Sequence, residues 1–236
     1  MSDLHITVSG TKRLLTAGKR HDHNIVITAE GNYYDTFWDG YQEKGNRTHY
    51  GGAFAGTAWD DSSFRPKYAI KPDMADYMFA FSQITDLPAA LAAAGITLDF
   101  SNAQECTYLF RTANIQRTGV LDCSGCRSLN NLFYNAKNLE TVDKLIIAND
   151  IVSFTQSMFY QCTALKNITF EGVMPFAVSF EYSPLLTAAS VNSIIGVLKD
   201  LTGQAAKTLT FHPDVGSNLT AAQKAAITAK NWTLVY

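Results

Sequence analysis

The sequence predicts a mixed α/β fold in which short strands stack side by side as a parallel ladder. A phrase of an aliphatic, a variable and a hydrophobic residue begins at Leu98, Leu121, Leu145, Ile168 and Leu209. The steps are 23, 24, 23 and 41 residues, so the first four keep a nearly constant period. A second phrase recurs beside it: Met78-Phe79, Leu109-Phe110, Leu132-Phe133 and Met158-Phe159. Periods of about 20–29 residues with one strand per unit are typical of leucine-rich-repeat solenoids, whose extended surfaces commonly serve in binding.

Residues 1–31 are predicted to form a short β module. Ile6-Thr7-Val8 and Ile25-Val26-Ile27 alternate as strands do, and a basic, glycine-containing connection through Lys12, Arg13 and Lys19 lies between them. The pair His21 and His23 lacks a third ligand in the sequence, so we interpret both as structural or exposed. The module is too small for a core of its own and must pack on something else.

Residues 32–77 are predicted to form an aromatic N-terminal cap. Tyr34, Phe37, Trp38 and Tyr41 have the i, i+3, i+4, i+7 spacing of one helix face. Two interpretations stay open. The aromatic side chains cover the open end of the repeat core, as a solenoid requires, or Trp38, Tyr41 and Trp59 stack against a sugar ring. The helical spacing favours the cap.

The repeats are predicted over residues 78–182, with an Ala-rich helix from Leu87 to Ala94 inserted in the first unit. Residues 183–236 are predicted to close the C-terminal end in the order helix, strand, helix, strand. Thr187 or Ser190 can cap the first helix, and Thr220-x-x-Gln223 is a capping box that opens the second. The apolar positions of the first helix are Val191, Ile194, Ile195, Leu198 and Leu201. The two strands are predicted at Lys207 to Phe211 and at Trp232 to Val235.

The ladder also predicts a recognition strip on the exposed sheet face. If the outer two residues of each phrase point inward, the middle ones point outward, namely Asp99, Asp122, Ile146, Thr169 and Thr210. Asp99 beside Asp122 would place like charges about 4.8 Å apart on neighbouring strands, an unfavourable pair that suggests a ligand-binding role. A plain solvated sheet surface is the equally simple alternative.

Four cysteines are present, and Cys123 and Cys126 have the C-x-x-C spacing. A second such pair and a His close to any cysteine in sequence are both missing. We interpret Cys106, Cys123, Cys126 and Cys162 as small buried hydrophobic residues, and we predict neither a metal nor a cofactor.

Composition and charge exclude some functions. The 236 residues are 47% hydrophobic and 17% charged, and the formal net charge is −2, a balance that provides no field to attract nucleic acid. No stretch approaches the ~20 apolar residues of a membrane-spanning helix, so we expect no membrane insertion. The first residues lack the features of a secretory signal; we therefore expect export by another route, such as host lysis, if the protein acts outside the cell.

Met158 to Phe170 resembles the repeat of the BspA-like leucine-rich-repeat family: an aromatic residue, two variable residues, then Cys-Thr-x-Leu-x-x-Ile-x-aliphatic. The matching residues are Phe159, Cys162, Thr163, Leu165, Ile168 and Phe170. Residues 14–27 resemble a short module of tail and baseplate proteins of phages and prophages of Gram-positive bacteria, and residues 186–234 are similar to the closing segment of repeat proteins from that setting. The resemblance implies an extracellular, cell-surface or virion-associated protein that recognises a protein or glycan and has no catalytic residues.

We therefore expect a non-catalytic recognition or adhesion protein, with an oligomer compatible with this role. One alternative is a carbohydrate-active enzyme on the same scaffold, with carboxylates drawn from Asp35, Asp39, Asp60 and Asp61, although turn and cap roles are the simpler interpretation. The other is a purely structural subunit of a tail assembly. The sequence contains no phosphate-binding glycine loop, nucleophile elbow or Ser-His-Asp grouping.

Overall fold

Parallel pairing connects successive segments of the chain. The computed structural model describes the strands at residues 4–8 and 11–15, and residues 50, 52–57, 59–66 and 69–236. This part is a mixed α/β structure with two three-stranded sheets, both parallel throughout, and one antiparallel hairpin. The predicted α/β class with parallel strands is confirmed.

The elements, in chain order, are β1 (Leu4–Val8), β2 (Thr11–Leu15), α1 (Leu87–Ala94), β3 (Val120–Cys123), β4 (Thr141–Ile147), β5 (Asn167–Glu171), β6 (Val178–Phe180), α2 (Ala188–Val197), β7 (Lys207–Phe211), α3 (Pro213–Gly216), α4 (Ala221–Ala229) and β8 (Trp232–Val235), with a 3-10 turn at Gln156–Phe159 before β5. One sheet has the order β3-β4-β5 and the other β6-β7-β8.

The N-terminal hairpin pairs β1 with β2, from Leu4 opposite Leu15 to Val8 opposite Thr11. The sequence predicted a basic connection through Lys12 and Arg13, but both residues belong to β2. Charged residues can face solvent from a strand as well as from a loop, so the basic character did not discriminate between the two. The predicted strand Ile25 to Ile27, the two histidines, and the residues Tyr34 to Tyr41 lie outside the described residues.

A regular hydrogen-bond pattern runs between the segments. The backbone N–H of Phe79 donates to the carbonyl of Leu109 at 2.9 Å, and that of Phe110 donates to Leu132 at 2.8 Å. Upstream, Phe54 donates to Met78 at 2.8 Å in the same way. The pairing therefore begins earlier in the chain than the start at Met78 that the sequence predicted.

Strand register differs from the prediction in two places. Leu121 does lie opposite Leu145, but Ile168 pairs with Val142, because an irregularity in β4 shifts the register and brings Leu145 opposite Phe170. Leu98 forms a single parallel bridge with Ile70 and does not pair with β3, which is an edge strand of its sheet.

Strand β6 was not predicted from the sequence. Its residues Val178, Ser179 and Phe180 fit the repeated phrase, but they follow Ile168 after only 10 residues and so fall outside the period.

The core contains a continuous column of seven phenylalanine rings. Neighbouring rings are stacked with centroids 4.7–6.0 Å apart and interplanar angles of 6–24°. We call this set the phenylalanine column: Phe54, Phe79, Phe110, Phe133, Phe159, Phe180 and Phe211. Each ring is at most 1% exposed. Stacked aromatic pairs add about 0.5–1.5 kcal/mol beyond the area that they bury, so the column binds successive segments together.

The turn around each ring has a repeated backbone shape. Residues two before and two after the phenylalanine are left-handed in successive segments, with positive φ at Tyr77 and Phe81, at Tyr108 and Thr112, and at Asn131 and Asn135. Non-glycine residues seldom adopt this conformation, and for a β-branched residue such as Thr112 (φ 53°) it is a true outlier. The recurrence indicates one common turn rather than unrelated loops.

The helices follow the sequence closely. Asp86 caps α1, accepting a hydrogen bond from the Ala89 N–H, and Gly95 ends it with φ 68°. The Thr220–Gln223 capping box opens α4 as predicted. Helix α2 ends at Val197, short of Leu201, because Leu198 leaves the helical conformation with ψ 128°. Lys230 Nζ then donates to three carbonyls at this helix end, those of Ile195, Gly196 and Leu198, at 2.9–3.0 Å. No helix among the described residues is both long and apolar enough to cross a membrane.

Candidate functional site

The predicted sheet-face residues do not form one row. Asp122 lies opposite Ile146, but the next neighbour of Ile146 is Glu171 rather than Thr169. Thr210 belongs to the other sheet, where it pairs with Ser179 and Val235. The predicted residues are half-buried or exposed, as outward-pointing positions should be. They do not share one sheet, because Thr210 belongs to a different sheet from the other strand residues and Asp99 lies in neither sheet.

Asp99 lies in neither sheet and is not paired with Asp122 across neighbouring strands, so the strand pair on which the like-charge prediction depended is absent. Its carboxylate accepts a hydrogen bond from the Ser101 N–H at 2.9 Å and forms an ion pair with Lys71 at 3.5 Å. The hydrogen bonds with Ser101, helped by the Lys71 charge, lower the pKa of Asp99. The carboxylate thus has local partners that explain it without a ligand.

Trp59 packs at the end of the phenylalanine column. Its ring is half-buried and meets Phe54 edge to face, with centroids 6.0 Å apart. Phe64 lies against both Phe54 and Phe79 and is fully buried. This packing favours the cap over a sugar-stacking role for Trp59. Trp38 and Tyr41 lie outside the described residues.

The two described aspartates of the aromatic segment serve the local fold. Asp60 accepts hydrogen bonds from Ser62 and from the Ser63 N–H, and the Ser62 hydroxyl is the largest influence lowering the pKa of Asp60 to about 2. Asp61 accepts from both the N–H and the hydroxyl of Thr85 on the next segment. These are the turn and bridging roles expected of aspartate in loops.

A second aromatic row lies on the surface. Its members, here called the tyrosine strip, are Tyr77, Tyr108, Tyr134, Tyr160 and Tyr182. Successive centroids are 4.9, 6.2, 4.9 and 4.8 Å apart, and the geometry alternates between stacked and edge-to-face. Tyr77 is 38% exposed and the other four are half-buried. The strip is a continuous, partly accessible aromatic surface that crosses five segments.

Arg111 completes the tyrosine strip. Its guanidinium carbon lies 5.1 Å from the ring centre of Tyr108 and 5.9 Å from that of Tyr134, and it is also 5.8 Å from Phe81, which is 43% exposed. Its Nε is buried with no hydrogen-bond partner among the described residues. Tyrosine and arginine are, with tryptophan, the residues enriched at binding hot spots.

Sequence reasoning missed the tyrosine strip because its register shifts. Tyr77 and Tyr108 precede the phenylalanine of their segment by two residues, whereas Tyr134 and Tyr160 follow theirs by one. A search at one fixed offset therefore finds at most half of the row. The available signal was a tyrosine within two residues of each phenylalanine of the column from Phe79 to Phe180.

The second candidate site is buried. The sulfur atoms of Cys106, Cys123 and Cys126 all lie within 4.8 Å of one another, and those of Cys106 and Cys126 are 2.8 Å apart. Cys162 lies elsewhere, where its thiol donates to the Phe133 carbonyl at 3.3 Å. Burial of all four cysteines is confirmed, but the convergence of three of them was not predicted.

The three thiols influence one another's pKa. Hydrogen bonds from Cys106 and Cys126 stabilise the Cys123 thiolate and lower its pKa to about 5. The hydrogen bond to Cys123, together with burial, raises the pKa of Cys106. For Cys126 the hydrogen bond from Cys106 acts downward, but the hydrogen bond to Cys123 and burial outweigh it, and the pKa is raised. Burial also raises the pKa of Cys162 above its usual range.

Comparisons with known proteins do not assign either site. No protein-family model matches the sequence, and searches among curated proteins and among solved structures found no significant match.

Proposed function

We propose that the chain is a non-catalytic recognition protein that binds a protein partner through the tyrosine strip. The observation that carries the proposal is the strip itself: five partly accessible tyrosines in contact, with the Arg111 guanidinium over two of their rings. A surface that uses this many aromatic residues without enclosing them in the core is suited to an interface.

We propose as its scaffold a short solenoid of the leucine-rich-repeat type. Three features support it: parallel hydrogen bonds between successive segments, the phenylalanine column, and the recurring left-handed turn residues. In such a stack each segment contributes one residue to every surface row. That property explains how rings from five segments come to lie beside one another.

Ring geometry favours a protein over a glycan as the partner. Sugars stack on the faces of aromatic rings, but Tyr108 and Tyr134 have neighbouring rings against their faces or edges on both sides. What the strip presents are ring edges and hydroxyl groups. Tyrosine hydroxyls are protonated at neutral pH and can donate hydrogen bonds, and burial and the Glu181 charge raise the pKa of Tyr182 further. Edges and hydroxyls suit the mixed apolar and polar surface of a protein.

We further propose that the partner is exposed on a cell surface and that the protein acts there or on a virion. The resemblance of residues 14–27 to a tail and baseplate module and of Met158 to Phe170 to BspA-like repeats supports this location. It also favours binding over catalysis.

The test is binding of the labelled full chain to a panel of Gram-positive cells and to a glycan array. We expect saturable binding to cells that disappears after protease treatment of the cells, and no retention on the array. Binding that survives protease but is lost when surface polysaccharide is removed would make the partner a glycan. A complete absence of cell binding would contradict the surface role.

Two variants locate the binding surface. The triple variant Y108S/Y134S/Y160S removes the hydroxyphenyl rings from the centre of the tyrosine strip, and we expect at least a tenfold loss of affinity, because a few buried aromatic contacts carry most of an interface. The matched control D99A/D122A changes the sheet face predicted from the sequence and should bind normally. The opposite pattern would move the site to the sheet face. Circular dichroism and thermal unfolding check that both variants fold.

A further inference from the structure

We propose that Cys106, Cys123 and Cys126 form a binding site for a thiophilic metal ion with a filled d shell, such as Zn²⁺, Cd²⁺ or Cu⁺. The site is independent of the tyrosine strip. Thiolate sulfurs are the ligands that these ions prefer, and three of them converge in one part of the core with all sulfurs within 4.8 Å of each other.

Backbone structure holds the three ligands in place. Cys123 ends β3, and the N–H of Cys126 donates back to the Cys123 carbonyl at 3.0 Å, which closes the C-x-x-C turn. Cys106 comes from the preceding segment, where its N–H donates to the Ser128 carbonyl at 3.1 Å. The C-x-x-C turn plus a ligand from a neighbouring segment is a common arrangement in thiolate metal sites.

Gly125 fits the turn tightly against the preceding segment. A Cβ at this position would fall well inside van der Waals contact with the Ser101 carbonyl oxygen. Only glycine therefore permits the turn to approach so closely, and the approach brings Cys126 to the sulfur of Cys106.

Packing alone does not account for three cysteines here. The residues at the corresponding places of neighbouring segments are apolar: Ala75 and Leu129 for Cys106, Ile147 for Cys123, and Ala103 for Cys126. Three different repeat positions thus carry cysteine only where they meet. Cys162 is different, because its segment position is filled by Ala136 in the unit before and its sulfur is apart from the cluster.

Acidic residues adjoin two of the three ligands in the chain, since Asp122 precedes Cys123 and Glu105 precedes Cys106. A bound metal ion would compensate their negative charge together with that of the thiolates it coordinates. The thiols release their protons to solvent as the ion binds, so affinity should fall at low pH.

Geometry requires a small adjustment. With metal–sulfur bonds of about 2.3 Å, sulfurs around a tetrahedral ion lie about 3.8 Å apart. The Cys106–Cys126 pair, at 2.8 Å, would have to open by about 1 Å, which side-chain rotation can provide. The described residues supply three ligands, a number that suits a trigonal ion or a tetrahedral ion with one further donor.

The experiment uses the reduced full chain, refolded with and without Cd²⁺ because the site is buried. We expect a sulfur-to-cadmium charge-transfer absorption, one ion per chain by native mass spectrometry, proton release on binding and a higher Tm with the ion present. Parallel arms with Zn²⁺ and Cu⁺ rank the ions. A wild-type chain that binds none of the three at micromolar concentration would overturn the proposal, as would a Cys106–Cys126 disulfide in the freshly purified protein.

The variants copy residues that neighbouring segments already use. C106A follows Ala75, C126A follows Ala103 and C123V introduces an aliphatic residue as at Ile147, so each should fold. We expect each to lose the charge-transfer band and at least tenfold in Cd²⁺ affinity. The matched control C162A should retain both. Equal loss in C162A, or full binding by the C106A/C126A double variant, would contradict the site.

Discussion

The phenylalanine column and the tyrosine strip arise from the same segments but obey different constraints. Inside, every pair of neighbouring rings in the column is stacked, with interplanar angles of 6–24°. Outside, the tyrosine pairs alternate between about parallel and about perpendicular, at 21°, 73°, 19° and 70°. The difference shows that the close-packed interior holds neighbouring rings in one orientation, whereas the surface allows two.

The largest expected effect comes from the column. F133A removes a ring that is fully buried between Phe110 and Phe159, and we expect the free energy of unfolding to fall by about 3–5 kcal/mol. Guanidinium unfolding measures it. Y134A, the next residue and part of the strip, is the matched control and should cost about 1 kcal/mol. Equal losses for the two would remove the distinction between the column and the strip.

A smaller effect is expected where two segments touch backbone to backbone. G125A would push a methyl group into the Ser101 carbonyl and should lower the free energy of unfolding by about 1–3 kcal/mol. At Gly196, near the end of α2, an added Cβ meets nothing within 4 Å, so G196A should be neutral or stabilise by up to about 1 kcal/mol. Thermal unfolding of both variants measures the two effects. A G125A variant as stable as the wild type would show that the turn can move away from the Ser101 carbonyl.

The Arg111 guanidinium lies over three aromatic rings, and its removal should have a moderate effect. R111A loses contacts of its guanidinium with Tyr108, Tyr134 and Phe81. It should cost about 1–2 kcal/mol of stability, since an exposed cation–π pair contributes about 0.5–1 kcal/mol and three pairs that share one cation add incompletely. R127A, at an exposed arginine of the neighbouring segment, should be neutral. In a double-mutant cycle, the stability loss of R111A/Y134A should differ from the sum of the losses of R111A and Y134A. Simple additivity would mean that Arg111 does not couple the rings.

The smallest effect is a pH dependence. The pKa of Asp60 is lowered to about 2 in the folded chain and returns to about 3.9 on unfolding. Its contribution is therefore present above about pH 4 and lost as the pH falls toward 2. D60N should flatten the acid part of a curve of unfolding free energy against pH. The change should be well under about 1 kcal/mol, because the Asp60 carboxylate is largely exposed. D150N serves as the control, and an unchanged D60N curve would exclude the effect.

The local elements were well predicted from the sequence. Leu87–Ala94, Lys207–Phe211 and Trp232–Val235 have the predicted bounds, because caps and periodic apolar residues act over short distances. The register between β4 and β5 was harder to predict. The irregularity in β4 that pairs Ile168 with Val142 depends on contacts between segments. The cysteine cluster was missed for the same reason, since Cys106 and Cys126 are 20 residues apart and meet only through the stacking of their segments.

Thr112 has an unfavourable backbone conformation, with φ 53°. It holds a β-branched side chain in the left-handed region, at a turn position that Asn135 fills in the following unit. Threonine stores strain there that asparagine relieves. The chain can therefore be made more resistant to heat at this position, and the single substitution T112N is the simplest way to engineer it.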